Sequence, residues 1–289
     1  MYDSILLPYD GSEGAAAVLH HAGELAHWAD APIQILYVAD TTRDSVTVVE
    51  GDTVDALELK GRDVVEEAAK TLETLGVAYD TDVIQGNPAP TIVDYAEQYD
   101  HDLVVMPTHG REGVSRYLLG SVSEKVVRLS SVPVITVRMQ PDETFAFPYE
   151  NVLVPTDGSD AATVAAEHGL SLAASLDATV HVLSVIDDAD LGLDVRSTGS
   201  GTESEQAATD AVDTVVAAAE THGVTDTVRH VEHGRPVEAI LDCIDANDIH
   251  AVVMGTKGRR GTDRILLGSV AEKTVRSAPV PVVTVADRE

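Results

Sequence analysis

The chain repeats itself, and this repetition limits its architecture more than any other feature. Gly110–Arg128 and Gly258–Arg276 are identical at 13 of 19 positions. Ser4-Ile-Leu-Leu-Pro-Tyr-Asp-Gly-Ser12 returns as Asn151-Val-Leu-Val-Pro-Thr-Asp-Gly-Ser159 at an offset of 147. Gln85-Gly-Asn-Pro88 returns as His233-Gly-Arg-Pro236 at an offset of 148. A period this long marks a duplicated domain rather than a solenoid. With 289 residues there is room for two domains, each with its own core. The expected boundaries are 1–139 for the first domain, 140–149 for a linker and 150–289 for the second. Gln140–Pro148 carries two prolines and no helical period, as a linker should.

Each half alternates short apolar runs with helical patterns. In the first half, strands are expected at Ser4–Pro8, Ile33–Val38, Tyr79–Ile84, Leu103–Met106 and Val134–Val137. Helices are expected at about 13–29, 53–75, Pro90–Gln98 and 122–130, with an irregular loop over Asp40–Asp52. The second half predicts strands near 151–155, 179–184, 227–231, 251–254 and 281–285, and a long helix near 204–222. Strands joined through helices require right-handed crossovers and a parallel sheet covered on both faces. The predicted fold class is therefore α/β, with two doubly wound, Rossmann-like five-stranded parallel sheets in tandem. Ligands on such sheets bind at the carboxyl ends of the strands, where the strand order reverses. That places the Asp10 and Asp157 turns, after strand one, beside the glycine-rich loops that follow strand four.

Those loops are the most distinctive segments. Met254-Gly-Thr-Lys-Gly-Arg-Arg-Gly leads on to Gly268-Ser269, and Met106-Pro-Thr-His-Gly-Arg-Glu-Gly leads on to Gly120-Ser121. Strand, glycine-rich loop and helix N-terminus together can hold a phosphate chain. Glycine lets the backbone approach, unpaired N–H groups point at the anion, and the helix dipole favours negative charge.

Composition narrows the partners. A formal charge of −30, from 49 acidic and 19 basic residues, argues against nucleic acid and anionic membranes. Only five of the basic residues are lysines. An acidic, lysine-poor surface on an otherwise globular composition predicts a host with a salt-rich cytoplasm, such as a haloarchaeon, because screening suppresses self-repulsion there. The single cysteine, Cys243, excludes an intrachain disulfide and is expected to be a packing residue. No basic leader and no membrane-length apolar run is visible, so a soluble cytoplasmic protein is expected.

The pattern Gly-x2-Gly-x9-Gly-Ser after strand four, with Pro-x-Asp-Gly-Ser after strand one, resembles the universal stress proteins in tandem form, over nearly the whole chain. The resemblance implies an adenine nucleotide site in each half, holding ATP, or AMP or ADP, with Mg²⁺. In the second half it implies Asp157 at the nucleoside, the Val185 backbone at adenine, and Gly255, Gly258, Gly268, Ser269 and Val270 at the phosphates. In the first half the counterparts are Pro8, Asp10, Val38, Gly110, Gly120, Ser121 and Val122. Pro107 replaces the first glycine there. It lacks an N–H and fixes φ near about −65°, so ATP is expected more firmly in the second half than in the first. Family members pair their final strands across a dimer interface. The resemblance therefore implies an intramolecular pseudo-dimer of the two halves through Val132–Val137 and Val280–Val285, with a further homodimer as an option.

Plainer readings stand beside these. Ser121-x-x-Glu124 and Ser269-x-x-Glu272 satisfy the capping-box rule. Asp10 and Asp157 suit Asx turns. His109, Arg111, Lys257, Arg259 and Arg260 can serve as phosphate contacts or as counter-ions, Arg116 and Arg264 recur beyond them, and Arg235 lies in a strand-to-helix turn. His20, His21, His27, His230 and His233 show no metal-ligand spacing. Ser197–Thr202 reads as a flexible segment before the long helix. There is no Walker lysine, activated nucleophile or diagnostic carboxylate pair. The expected role is a nucleotide-binding regulatory or sensor module in stress response. An ATP-independent interaction protein and a slow ATPase or other nucleotide-processing enzyme are the alternatives.

Overall fold

The computed structural model describes residues 1–41, 53–108, 119–138, 145–187, 200–257 and 267–287. The chain divides into two compact units, Tyr2–Phe145 and Ala146–Glu289. Both are parallel α/β sheets of five strands, as expected from the alternating pattern. In the first, the strands are β1 (Ile5–Pro8), β2 (Ile33–Asp40), β3 (Tyr79–Gly86), β4 (Leu103–Pro107) and β5 (Val134–Val137). Their spatial order is β3-β2-β1-β4-β5. The second contains β6 (Asn151–Pro155), β7 (Thr179–Ile186), β8 (Thr227–His233), β9 (Ala251–Gly255) and β10 (Val282–Val285), in the order β8-β7-β6-β9-β10. The order reverses between β1 and β4 in one unit and between β6 and β9 in the other.

The strands sort by burial. β1, β4, β5, β9 and β10 are buried at every residue and read as continuous apolar runs. This is the pattern of strands covered on both faces. β3 and β8 are polar and half exposed. Aliphatic and alanine side chains fill the cores, with Tyr2 and Tyr149 the largest fully buried residues.

The helices α1 (Glu13–Ala29), α2 (Thr53–Leu75), α3 (Pro88–Gln98) and α4 (Ser121–Leu129) connect the strands of the first unit. Their counterparts are α5 (Asp160–Leu176), α6 (Ser200–His222), α7 (Pro236–Ala246) and α8 (Ser269–Ser277). Ser12 and Ser159 cap α1 and α5, their hydroxyls accepting from the N–H groups of Ala15 and Ala162. Both helices stop at an aspartate in the left-handed region, Asp30 at φ 53° and Asp177 at φ 56°, a position more often filled by glycine. Small residues let α5 lie close to the sheet. A Cβ on Gly169 would come within 2.9 Å of Val154 and 3.2 Å of Val253. Pro88 and Pro236 sit in the first turn of α3 and α7, where no N–H is needed.

Several boundaries differ from expectation, three of them for identifiable reasons. β2 and β7 run on to Asp40 and Ile186, because their ladders with β3 and β8 continue after β1 and β6 have ended. α6 begins at Ser200 rather than near 204, so Ser200–Thr202 form its first turn. Residues 197–199 lie outside the described residues, as does 42–52, the greater part of the expected Asp40–Asp52 loop.

His168 lies on α5, and burial pushes its imidazole down to about 4. The folded state therefore holds it neutral where the unfolded chain, with an ordinary histidine value near 6.5, takes up a proton. Stability should fall as pH drops from about 6.5 to about 4 and lose nothing further from this group below that. Because the side chain is partly exposed, the contribution is on the order of 2 kcal/mol. Thermal melts of the chain and of His168→Gln between these pH values should diverge, with the variant falling less. Parallel curves would show that His168 does not contribute.

Candidate functional site

At the carboxyl ends of the central strands, three backbone positions line up across each sheet. Pro8 pairs with Leu36, and the Tyr9 N–H donates to the Leu36 carbonyl at 2.9 Å. Counting on two residues puts Val38 level with Asp10. On the other flank Leu6 pairs with Val104, which puts Asp10 level with Thr108. The second unit repeats the row. Pro155 pairs with Leu183 and Leu153 with Val252, so Val185, Asp157 and Thr256 are level. Val38 and Val185 extend past the last residues of β1 and β6. By strand alternation their N–H and C=O groups point to the side where Leu36 and Leu183 meet that neighbour.

Asp10 and Asp157 form Asx turns. Each Oδ1 accepts the N–H of the serine two residues on, Ser12 or Ser159, at 3.0 Å. Gly11 and Gly158 make the turn at φ 75° and 72°. The plainer reading of these aspartates therefore holds, and it fixes them at the strand ends. The two aspartates thus stay in the same row as Val38 and Val185.

The glycine-rich segments leave the sheet and return to it at one point. In the first unit the Thr108 N–H donates to Val137 at 3.0 Å, and its carbonyl accepts the N–H of Gly120 at 2.7 Å. In the second, Thr256 donates to Val285 at 3.1 Å and accepts from Gly268 at 2.8 Å. These threonines are 1% and 5% exposed, so the clamp is shielded from water. The clamp was not anticipated. Its signal was a threonine recurring directly after strand four in both copies. Gly110 and Gly258 lie outside the described residues, as do His109, Arg111, Arg116, Arg259, Arg260 and Arg264. Lys257 is partly exposed at the edge of its loop.

The clamp sets the start of the next helix. Gly120 and Gly268 are the N-caps, not the serines, and neither helix has a side-chain cap. The capping-box expectation is thus corrected. Ser121 and Ser269 stand one residue inside the helix, where the serine hydroxyl cannot reach back to the N–H groups it would cap. Glu272 turns instead to Arg276, at 2.7 Å. The first intrahelical bonds are Glu124 to Gly120 and Glu272 to Gly268, both 2.9 Å. The N–H groups of Ser121, Val122 and Ser123, and of Ser269, Val270 and Ala271, have no acceptor among the described residues. Each helix thus offers three aligned donors at its positive end, beside an exposed serine. The structure therefore brings Pro8, Asp10, Val38, Gly120, Ser121 and Val122 to one strand-end region. It does the same for Asp157, Val185, Gly255, Gly268, Ser269 and Val270.

Gly255 has a second reason to be glycine. A Cβ there would lie 2.7 Å from the carbonyl oxygen of Ala161 and 3.0 Å from its carbonyl carbon, in the first turn of α5. Pro107 carries a Cβ at the matching position, where the residue aligned with Ala161 is Gly14. Its carbonyl accepts from Ser123 Oγ at 2.8 Å, whereas the aligned helix residue in the second half is Ala271. The proline therefore belongs to a local repacking and does more than remove an N–H. Arg235 pairs with Glu238 at 2.9 Å, and its side chain is exposed. Cys243 is buried and free, as expected, and burial raises its thiol to about 11.

Among the described residues no group of three or more His, Cys, Asp or Glu side chains is placed to hold a metal ion. No helix among them is long and apolar enough to cross a membrane.

Fold and site together define a tandem α/β protein with an open helix N-terminus at the switch point of each sheet. The model described as the universal stress protein family matches residues 1–138 and again 148–286. The chain belongs to the universal stress protein family. A universal stress protein of Mycolicibacterium smegmatis is 28% identical over 293 aligned residues, covering 98% of this chain and 97% of its own. A shorter one from Methanocaldococcus jannaschii is 34% identical over 141 residues, 48% of this chain and 83% of its own. The crystal structure of a universal stress protein from Archaeoglobus fulgidus superposes with a TM-score of 0.76 at 26% identity, covering 98% of both chains.

The close approach of Gly255 to α5 yields a test. Gly255→Ala should destabilise the second unit by about 1–3 kcal/mol, because the obstructing atoms are backbone and can yield only by moving the helix. Urea denaturation at fixed salt measures this. A variant as stable as the parent would contradict the packing.

Proposed function

We propose that this chain is a nucleotide-binding regulatory module of the stress response that takes ATP at the strand ends of the second unit and, more weakly, of the first. The observation that carries the reading is the set of three N–H groups opening each of α4 and α8 that have no acceptor among the described residues, anchored by Thr108 and Thr256, which are level with Asp10 and Asp157. Phosphate oxygens would accept from Ser269, Val270 and Ala271, with the Ser269 hydroxyl as a further donor. The Val185 backbone would meet the base, and Asp157 the ribose. Pro8, Asp10, Val38, Ser121 and Val122 would play the same parts in the first unit. Membership of the universal stress protein family supports the stress-response role. Without a carboxylate cage among the described residues, Mg²⁺ would arrive with the phosphates rather than bind first.

We read the net charge of −30 as adaptation to a salt-rich, cytoplasmic setting. Pairing of the two halves through their final strands is part of the same proposal and rests on the family resemblance.

Denaturing freshly purified chain and quantifying the released nucleotide, in molar potassium chloride, tests the reading. One or two nucleotides per chain are expected. Ser269→Glu should lower ATP affinity in the second unit by more than about tenfold, since a carboxylate at this helix start suits the dipole but repels phosphate. Ser121→Glu does the same for the first. No released nucleotide together with no measurable titration would overturn the proposal.

A further inference from the structure

The two halves also differ between the outer strand and the helix that follows it. In the first unit this place is filled. Tyr95 on α3 is buried, its hydroxyl donating to Asp82 Oδ2 on β3 at 3.2 Å. Its ring packs on Tyr99 with centroids 4.4 Å apart, and stacks on His101 at 5.8 Å and 12°. At the offset of 148, Tyr95 aligns with Cys243, Tyr99 with Asn247 and Asp82 with His230. Two phenol rings have been replaced by a thiol and a carboxamide. The second unit has a cavity of about 300 Å³ there, lined by His230, Cys243 and Asn247 among others. That volume is at the lower end of small-ligand sites. None of Asp157, Val185, Gly255, Gly268 and Ser269 lines it.

The chemistry of the wall is specific. His230 Nε2 lies 3.1 Å from His181 Nδ1, and the two rings stack at 5.3 Å and 11°. Only one proton fits between these nitrogens, so the pair is neutral or singly charged. Burial lowers the affinity of both imidazoles for protons. The remaining nitrogen of His230 is a donor in one tautomer and an acceptor in the other. A hydroxyl, which both donates and accepts, suits either. Glu232, Glu238 and Asp242 on the rim, with Arg235 already paired to Glu238, disfavour an anionic ligand.

We propose that the groove between β8 and α7 is a binding site for a small uncharged hydroxylated aromatic, its ring lying where the first unit places Tyr95 and its hydroxyl on His230. The site is independent of the nucleotide reading. The ligand supplies in trans what the first unit carries as a side chain.

The probe is p-cresol, the tyrosine side chain as a free molecule, titrated into the full chain in high salt by calorimetry and by NMR. One equivalent should bind, with nuclear Overhauser contacts from the ring to His230 and Cys243 β protons. The anionic analogue 4-methylbenzoate should bind more than about tenfold more weakly. Cys243→Tyr should abolish binding of p-cresol, because it restores the filling found in the first unit. No p-cresol binding at millimolar concentration, contacts to other residues only, or undiminished binding by a folded Cys243→Tyr would each overturn the proposal. Should that variant not fold, the Overhauser contacts in the parent chain decide.

Discussion

The strand-end region of each unit depends on one buried hydrogen bond, from the N–H of the last loop glycine to the carbonyl of the threonine after strand four. It consumes the N–H of the helix N-cap and returns the chain to the sheet. The helix therefore starts at the switch point, with its next three N–H groups unpaired among the described residues. A serine at the N-cap would have closed one of those donors, as Ser12 and Ser159 do for α1 and α5. Glycine at Gly120 and Gly268 leaves them open. The same molecule thus closes α1 and α5 with serine and leaves α4 and α8, like α3 and α7, without a side-chain cap. What sets α4 and α8 apart is their place, at the strand ends where the sheet order reverses, and donors left bare there are costly unless water or an anion meets them.

Much of this was legible in the residues. The 147–148 repeat required two like domains, and the strand–helix alternation required parallel sheets. Reversal of strand order then placed Asp10 and Asp157 beside the loops. What could not be read was which residue begins α4 and α8. Ser-x-x-Glu is compatible with serine as cap or as first helical residue, and only the tertiary hydrogen bond to Thr108 or Thr256 decides. The second reading of Gly255 was hidden for a similar reason. Its obstruction is a carbonyl on another helix, which no local pattern around residue 255 records. The longer extent of β2 and β7 likewise depends on a ladder with a distant partner, 46 residues away for Val38 with Ile84 and 47 for Val185 with Glu232.

Duplication preserved the framework and released its details. At the start of strand one, Asp102 Oδ2 accepts the N–H groups of Asp3 and Ser4 at 2.8 and 3.0 Å. The aligned His250 does the corresponding work with Nδ1, accepting from Glu150 at 2.9 Å. Gly255 against Pro107 and Cys243 against Tyr95 are changes of the same kind. In each, a position keeps its place in the fold while its chemistry shifts. Retention of the threonine clamp and the open helix start in both units points to a shared task at the strand ends. Divergence in the groove beside α7 points to a task of the second unit alone.

The central claim is that the first turns of α4 and α8 are anion sites at the head of each sheet. Backbone amide resonances recorded in molar potassium chloride, with and without ATP, test it most directly. The largest shifts should fall on Ser269, Val270 and Ala271, with smaller ones on Ser121, Val122 and Ser123. ATP binding that leaves all six amides unmoved and shifts resonances elsewhere would contradict it.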